Sequence, residues 1–135
     1  MKMYNFLLLG LLFASSVFIS SCKKEVKIEK NLWKKGGEWN IESFYSMQES
    51  TFKPDNFEST FNNIGTYSFN EDGTGSYLIT IDEYSEYAAF NYSNTENNIT
   101  FIIDNEAKVF EIVEWKKNEM KMKRNENIKI TNEYK

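Results

Sequence analysis

The fold of this chain is constrained most by an alternation of apolar and polar residues with a period of two, which runs from Trp39 almost to the C-terminus. Trp39, Ile41 and Tyr45 alternate with polar residues in the first such segment. Successive side chains of a β-strand point to opposite faces, so this period predicts strands that bury one face. The sequence therefore predicts an all-β protein.

Short turn sequences separate the alternating segments. Asn70–Gly75 contains the pair Asp72-Gly73, which is typical of a tight hairpin. Because tight turns join antiparallel neighbours, about eight short strands predict a small antiparallel up-and-down barrel, with a sandwich as the alternative. Further turns are expected at 93–97, 104–106 and 116–119.

The positions expected to face the interior of this barrel are mostly large. Aromatic side chains of that size predict a filled interior with little or no ligand cavity. The alternative is that some of them face a small apolar ligand, and the candidates for this are Tyr67, Tyr77, Phe90, Tyr92 and Phe101.

The N-terminus has the features of an export signal. Lys2 precedes an apolar run over residues 6–19, which predicts a secretory signal peptide over residues 1–21. The sequence Ile19-Ser20-Ser21-Cys22 at its end resembles the lipobox of bacterial lipoproteins. That resemblance implies cleavage before Cys22 and lipid attachment to its sulfur. Residues 22–36 are rich in lysine and glutamate, so we expect a charged tether there and a folded domain over 37–135.

The resemblance to bacterial lipoproteins also implies a location. Lys23, and not aspartate, follows Cys22, which favours the outer membrane in enterobacterial-type sorting. The segment Lys23-Lys24-Glu25 contains one acid, which favours the periplasmic face over surface display. The membrane is therefore the first expected partner.

The composition argues against several classes of function. The chain contains no histidine, which is the commonest general base and metal ligand. Cys22 is its one cysteine, so a lipidated chain has no thiol for a metal or a disulfide. With a formal net charge of −4 it has no electrostatic reason to bind nucleic acid. We therefore expect no metal, no cofactor and no enzymatic activity.

Two groups of acidic residues are candidate sites. The turn around Asp72 faintly resembles an oxygen-rich calcium loop, and Asp82, Glu83 and Glu86 could supply paired carboxylates for glycoside hydrolysis. Neither group has the required spacing or setting. We interpret both as solvated acids at the ends of strands.

Three features together resemble the lipocalin-like lipoproteins common in the Bacteroidota. Gly37-Glu38-Trp39 matches the Gly-x-Trp that opens the first lipocalin strand, and Arg124 lies near the end of the chain. A long connection over 47–63 follows the first strand. The resemblance implies a lipocalin-like barrel in which Arg124 packs across Trp39 and closes one end by a cation–π contact. The connection lies where lipocalins have the lid loop. Its residues Phe52, Phe57 and Phe61 could fold over the barrel mouth as a lid, first as a hydrophobic plug that completes a small core and second as a gate.

The expected function is that of a non-enzymatic lipoprotein of the cell envelope. Its barrel would act as an interaction or structural module for an envelope protein partner. The alternative is a binding protein that holds a small hydrophobic ligand inside the barrel.

Overall fold

The computed structural model describes residues 24–48 and 57–132, and it contains a closed barrel of eight antiparallel strands. Each strand pairs with its neighbour in sequence, and β1 also pairs with β8, which closes the sheet. The predicted all-β, up-and-down barrel is confirmed. The strands are β1 (Glu38–Gln48), β2 (Phe57–Phe69), β3 (Thr74–Ile81), β4 (Tyr84–Asn94), β5 (Asn98–Ile103), β6 (Glu106–Lys116), β7 (Glu119–Lys123) and β8 (Glu126–Thr131).

A helix precedes the barrel. Residues 24–33 form helix α1, and a 3-10 turn at Lys34–Gly36 leads into β1. The prediction of a charged tether is wrong for these residues, because Ile28 and Leu32 are fully buried in the core. Their spacing of four places both side chains on one face of a helix. The charged residues around them occupy its other faces.

The two ends of the barrel differ. At one end, which we call the closed end, α1 packs across the strands beside Trp39. Asn94 Nδ2 donates to the Glu25 carbonyl oxygen at 3.1 Å, and Asn31 Nδ2 donates to the Lys117 carbonyl oxygen at 2.9 Å. The other end, the mouth, is formed by the turns at 82–83, 104–105 and 124–125. A ligand would therefore enter at the mouth.

Aromatic rings fill the half of the barrel near the closed end. Phe69 packs edge-on against Tyr92, with ring centroids 5.0 Å apart, and Phe90 packs edge-on against Phe101 at 4.9 Å. The ring centroids of Tyr67 and Phe101 lie 5.7 Å apart. Edge-to-face pairs at these distances are favourable beyond the area they bury. The interior is therefore a packed core here and not a cup.

β-bulges change which residues face inward. Relative to β8, β1 has one extra residue between Ile41 and Ser43, so Phe44 packs against the core. Tyr45, which the alternation placed on the face of Trp39, therefore points away from the interior. A second shift lies between Ile112 and Glu114 in β6. Each bulge adds one residue and inverts the alternation beyond it.

The long connection predicted over 47–63 is shorter in the structure. β1 extends to Gln48 and β2 begins at Phe57, so Phe61 lies inside β2, where it pairs with Phe44 and packs against the core. A lid role for Phe61 is therefore wrong. Phe52 and the side chain of Phe57 lie outside the part of the chain that the structure describes. The polar residues between Phe57 and Phe61 suggested a loop, but they are the exposed arm of a long hairpin.

Candidate functional site at the barrel mouth

A cavity of about 210 Å3 opens at the mouth. Its floor is aromatic and aliphatic, and its rim is charged. The cavity is smaller than the roughly 300–1,000 Å3 of most small-molecule sites. It is lined by Phe44, Tyr67, Tyr77, Ile79, Glu86, Phe101, Ile103, Lys108, Phe110, Arg124, Glu126 and Ile128.

The residues predicted to face a ligand divide into two groups. Tyr67, Tyr77 and Phe101 do line the mouth cavity. Phe90 and Tyr92 do not line it, because they pack among the rings nearer the closed end. The Tyr92 hydroxyl donates to the Asn70 carbonyl oxygen at 2.6 Å. Burial raises the pKa of Tyr92 to about 12, so its hydroxyl stays protonated and continues to donate.

The tyrosines of the cavity carry hydroxyls held in the neutral form. The Tyr77 hydroxyl donates to Glu86 Oε1 at 2.5 Å. Burial, reinforced by this carboxylate, raises the pKa of Tyr77 well above its ordinary value. Burial likewise raises the pKa of Tyr67, with Tyr77 and Glu126 contributing. Both phenols are therefore hydrogen-bond donors at neutral pH and cannot act as bases.

Glu126 holds the least satisfied polar atom of the mouth. Its Oε2 is buried and has no hydrogen-bond partner among the described residues. Arg124 and Lys108 line the same cavity, yet within the described ranges neither forms an ion pair with Glu126 or Glu86. A buried acceptor without a donor is costly. The mouth therefore suits a small molecule that donates a hydrogen bond.

The predicted contact between Arg124 and Trp39 is wrong, because the two residues lie at opposite ends of the barrel. Arg124 lies in the turn between β7 and β8, at the mouth. That turn leads into Glu126, which pairs with Ser46 of β1. Trp39 lies near the start of β1, roughly 20 Å from Ser46 at about 3.3 Å per residue. An arginine side chain cannot span that distance.

The closed end is capped by α1 and not by Arg124. Trp39 is fully buried, and its Nε1 donates to the Leu32 carbonyl oxygen at 2.9 Å. The carbonyl comes from the last turn of α1, where carbonyl oxygens lack a partner inside the helix. The buried indole and the helix end therefore satisfy each other.

Spacing alone did not identify the residues that give the mouth its chemistry. The alternation does not predict Phe44 inward because the bulge in β1 inverts it, and nothing in the sequence singles out Lys108 and Glu126. Glu86 was considered only as a solvated acid. A signal was available for Glu86, since it lies four and six residues before Phe90 and Tyr92, on the same face of a strand with a period of two.

The acidic turn at Asp72 is a hairpin turn. Asp72 Oδ1 accepts from the Thr74 backbone amide at 3.0 Å and from the Thr74 hydroxyl at 2.6 Å. These bonds lower the pKa of Asp72 below its ordinary value. Over residues 24–48 and 57–132 no group of three or more acidic, histidine or cysteine side chains is arranged to hold a metal ion. No helix of that same part has the length and apolarity to cross a bilayer.

Comparison with known proteins supports the same fold. The family model of the lipocalin-like domain matches residues 36–122. No curated protein matches the chain.

Two solved structures share the architecture. A lipocalin-like protein from Bacteroides uniformis superposes with a TM-score of 0.55 at 12% identity, covering 76% of this chain and 98% of that one. An uncharacterized protein from Bacteroides eggerthii superposes with a TM-score of 0.51 at 10% identity, covering 70% of this chain and 97% of that one. At such identities the likeness concerns the fold alone.

Proposed function

Because this chain belongs to the lipocalin-like domain family, we propose that it is a non-enzymatic lipoprotein of the cell envelope whose barrel serves as an interaction or structural module. The family fold is compatible with a ligand-binding barrel or a structural one. The choice between the two depends on the interior.

The filled interior is the observation that carries this proposal. Trp39, Phe69 and Phe101 are among the largest fully buried side chains. They occupy the space that would form the ligand cavity of a ligand-binding barrel. The remaining mouth cavity, about 210 Å3, is too small for most ligands of drug size. A partner protein would therefore contact the outside or the rim of the barrel.

The membrane attachment in this proposal rests on the lipobox-like sequence Ile19–Cys22. These residues lie outside the described part of the chain. The position of α1 supports the proposal indirectly, because its described residues, from Lys24 onward, pack on the closed end. A lipid at Cys22 would then hold the closed end towards the membrane. The outer membrane and its periplasmic face remain part of the proposal, on the basis of Lys23-Lys24-Glu25.

A second function is favoured by one observation, the buried Oε2 of Glu126 beside an aromatic floor. A carboxylate with aromatic rings suits a small organic amine, since the ammonium can donate to the oxygen and lie against a ring. This would be a small-ligand site at the mouth and not a deep hydrophobic cup.

The mass of the protein purified from membranes in a neutral detergent tests the main proposal. We expect a chain that begins at Cys22 and carries acyl groups, with no apolar molecule bound under native conditions. Cys22→Ala should leave an unprocessed precursor that takes up no labelled palmitate. Labelling of the variant equal to that of the wild type would contradict the anchor.

Two other results of the same measurement would separate the alternatives. A stoichiometric apolar ligand would contradict the module. A bound small amine that is lost in Glu126→Leu would make the mouth site the leading function.

A further inference from the structure

The closed end carries a groove between α1 and the turn that joins β6 to β7. We call it the basic groove. Its volume is about 260 Å3, and it is lined by Lys27, Lys30, Asn31, Lys34, Trp115 and Lys117. No carboxylate lines it. The charge of its lining is therefore of one sign.

The lysines of the basic groove are gathered by helical spacing. Lys27, Lys30 and Lys34 are three and four residues apart, which places them on one face of α1 and its continuing turn. Within the described residues, none of these three forms an ion pair, and the same holds for Lys117. Glu25 and Glu29 are the acids of α1, and they lie outside the groove lining. The groove is thus a positive patch on an acidic chain.

Trp115 lines the groove, and its indole nitrogen lies buried behind the groove surface. Its Nε1 is buried and has no acceptor in the described part of the chain. An indole nitrogen can only donate, so nothing but an acceptor atom can satisfy it. A buried polar group without a partner destabilises the structure. An occupant with oxygen acceptors and negative charge fits the four lysines of the lining, and a phosphate has both.

The location of the basic groove indicates the source of the phosphate. The described part of α1 starts at Lys24, two residues after Cys22, and two residues can span at most about 7 Å. If Cys22 carries lipid, as proposed above, the groove lies near the level of the headgroups. A basic face next to a lipid anchor is a recognised way to bind anionic membranes. We propose that the basic groove binds the phosphate of an anionic lipid headgroup in the membrane that holds the chain.

This binding orients the whole barrel. The closed end faces the bilayer, and the mouth points away from it towards the aqueous space. The lipid anchor fixes the position of the protein at the membrane. The groove adds a second attachment point, which restricts rotation about the anchor.

The indole N–H resonance of Trp115 provides a direct test in the acylated, 15N-labelled protein in neutral detergent. The probes are dihexanoyl phosphatidylglycerol, dihexanoyl phosphatidylcholine and inorganic phosphate. We expect phosphatidylglycerol to cause a saturable change in the chemical shift of this resonance. The dissociation constants of the other two probes should be at least about tenfold larger, because neither is an anionic lipid. Trp115→Phe assigns the resonance.

A matched pair of variants tests the lysines. Lys27→Gln/Lys30→Gln should weaken phosphatidylglycerol binding by about twenty-five-fold, at about fivefold per lysine. Lys108→Gln/Lys123→Gln removes the same charge near the mouth and should leave binding unchanged. Lys108 lines the mouth cavity and Lys123 is the last residue of β7. The near-ultraviolet circular dichroism of each variant shows whether the tryptophan environment is intact.

Three results would overturn the proposal. These are equal affinity for the two lipids, inorganic phosphate binding as tightly as phosphatidylglycerol, and equal weakening by both double variants. Failure of the anchor is a separate result, because it appears as an unacylated mass. The short-chain lipids reach the groove whether or not Cys22 is acylated, so the headgroup titration decides the proposal in either case.

Discussion

Gly37 shows how one residue joins α1 to the barrel. Its φ is +65°, and a Cβ there would lie 2.0 Å from the Phe69 carbonyl oxygen. The same close approach allows the Phe69 amide to donate to the Gly37 carbonyl oxygen at 2.8 Å. Only glycine combines this backbone angle with this contact. The Gly-x-Trp sequence is therefore a packing requirement, since it places Trp39 under the helix.

Gly37→Ala is expected to destabilise the barrel more than Gly36→Ala. Both positions have positive φ, which costs a non-glycine residue roughly 1–2 kcal/mol. Gly36 has nothing within 4 Å of an added Cβ, whereas Gly37 would push against backbone. Urea denaturation measures the difference. Equal losses in the two variants would show that backbone angle alone, and not the close approach, makes glycine necessary here.

The burial of single residues was predictable where the alternation is regular. Trp39 and Ile41 are both buried as predicted, because they precede the bulge of β1. The position of Arg124 was not predictable in the same way. The alternation of Met120 and Met122 predicts that Arg124 lies on the same inward face, but β7 ends at Lys123 and Arg124 lies in the turn. A long charged side chain at a strand end is compatible with either location, so the sequence contains no signal that separates them.

At the scale of elements, α1 is the feature that composition concealed. Six lysines and two glutamates over residues 23–35 suggested a solvated tether. Ile28 and Leu32 form a narrow apolar stripe that is enough to bury the helix against the closed end. The stripe is narrow because only one face of the helix touches the barrel. Spacing was a better guide here than average polarity.

Leu32→Ala is expected to destabilise the protein by about 2–5 kcal/mol, as do other fully buried leucines. The cavity would form beside the bond from Trp39 Nε1 to the Leu32 carbonyl oxygen. Val26→Ala is the control on the same helix, because Val26 is 56% exposed, and it should change the free energy of unfolding little. A loss in Leu32→Ala no larger than in the control would mean that α1 does not contribute to the core.

The hairpin of β6 and β7 carries a network of surface charges. Glu114 accepts from Lys121 at 2.8 Å and from Lys116 at 2.9 Å. These two lysines lower the pKa of Glu114 from 4.5 to about 2, and the hydrogen bond from Lys121 has the larger effect. The carboxylate thus favours the folded state above pH 4.5, and this contribution is lost as the pH falls from 4.5 to about 2.

Glu114→Gln should therefore lower the urea midpoint at neutral pH and should match the wild type near pH 2. Glu111→Gln is the matched control, since Glu111 is an exposed acid on the same strand with no ion pair in the described residues. A pH-independent difference between Glu114→Gln and the wild type would contradict the assignment of the low pKa to these lysines.

At the scale of the whole molecule, the barrel was predictable and the character of its mouth was not. Alternation and tight turns are local signals, and they were sufficient to predict antiparallel neighbours. Pairing of β1 with β8 follows once the neighbours are assigned. The mouth depends on bulges and turns from distant parts of the chain, which bring Glu86 and Glu126 to one cavity. No local pattern in the sequence predicts that these two residues lie in the same cavity.

Closure of the sheet has a consequence for how an exported protein of this shape is made. Ile41 pairs with Ile130, so the first strand has no second neighbour until almost the entire chain has been synthesised. A chain that emerges from a translocation pore N-terminus first must therefore wait with one edge of β1 exposed. An exposed strand edge is a template for wrong pairing. If the chain is exported as proposed, the interval between the emergence of β1 and the arrival of β8 is the period in which a chaperone would protect this protein most.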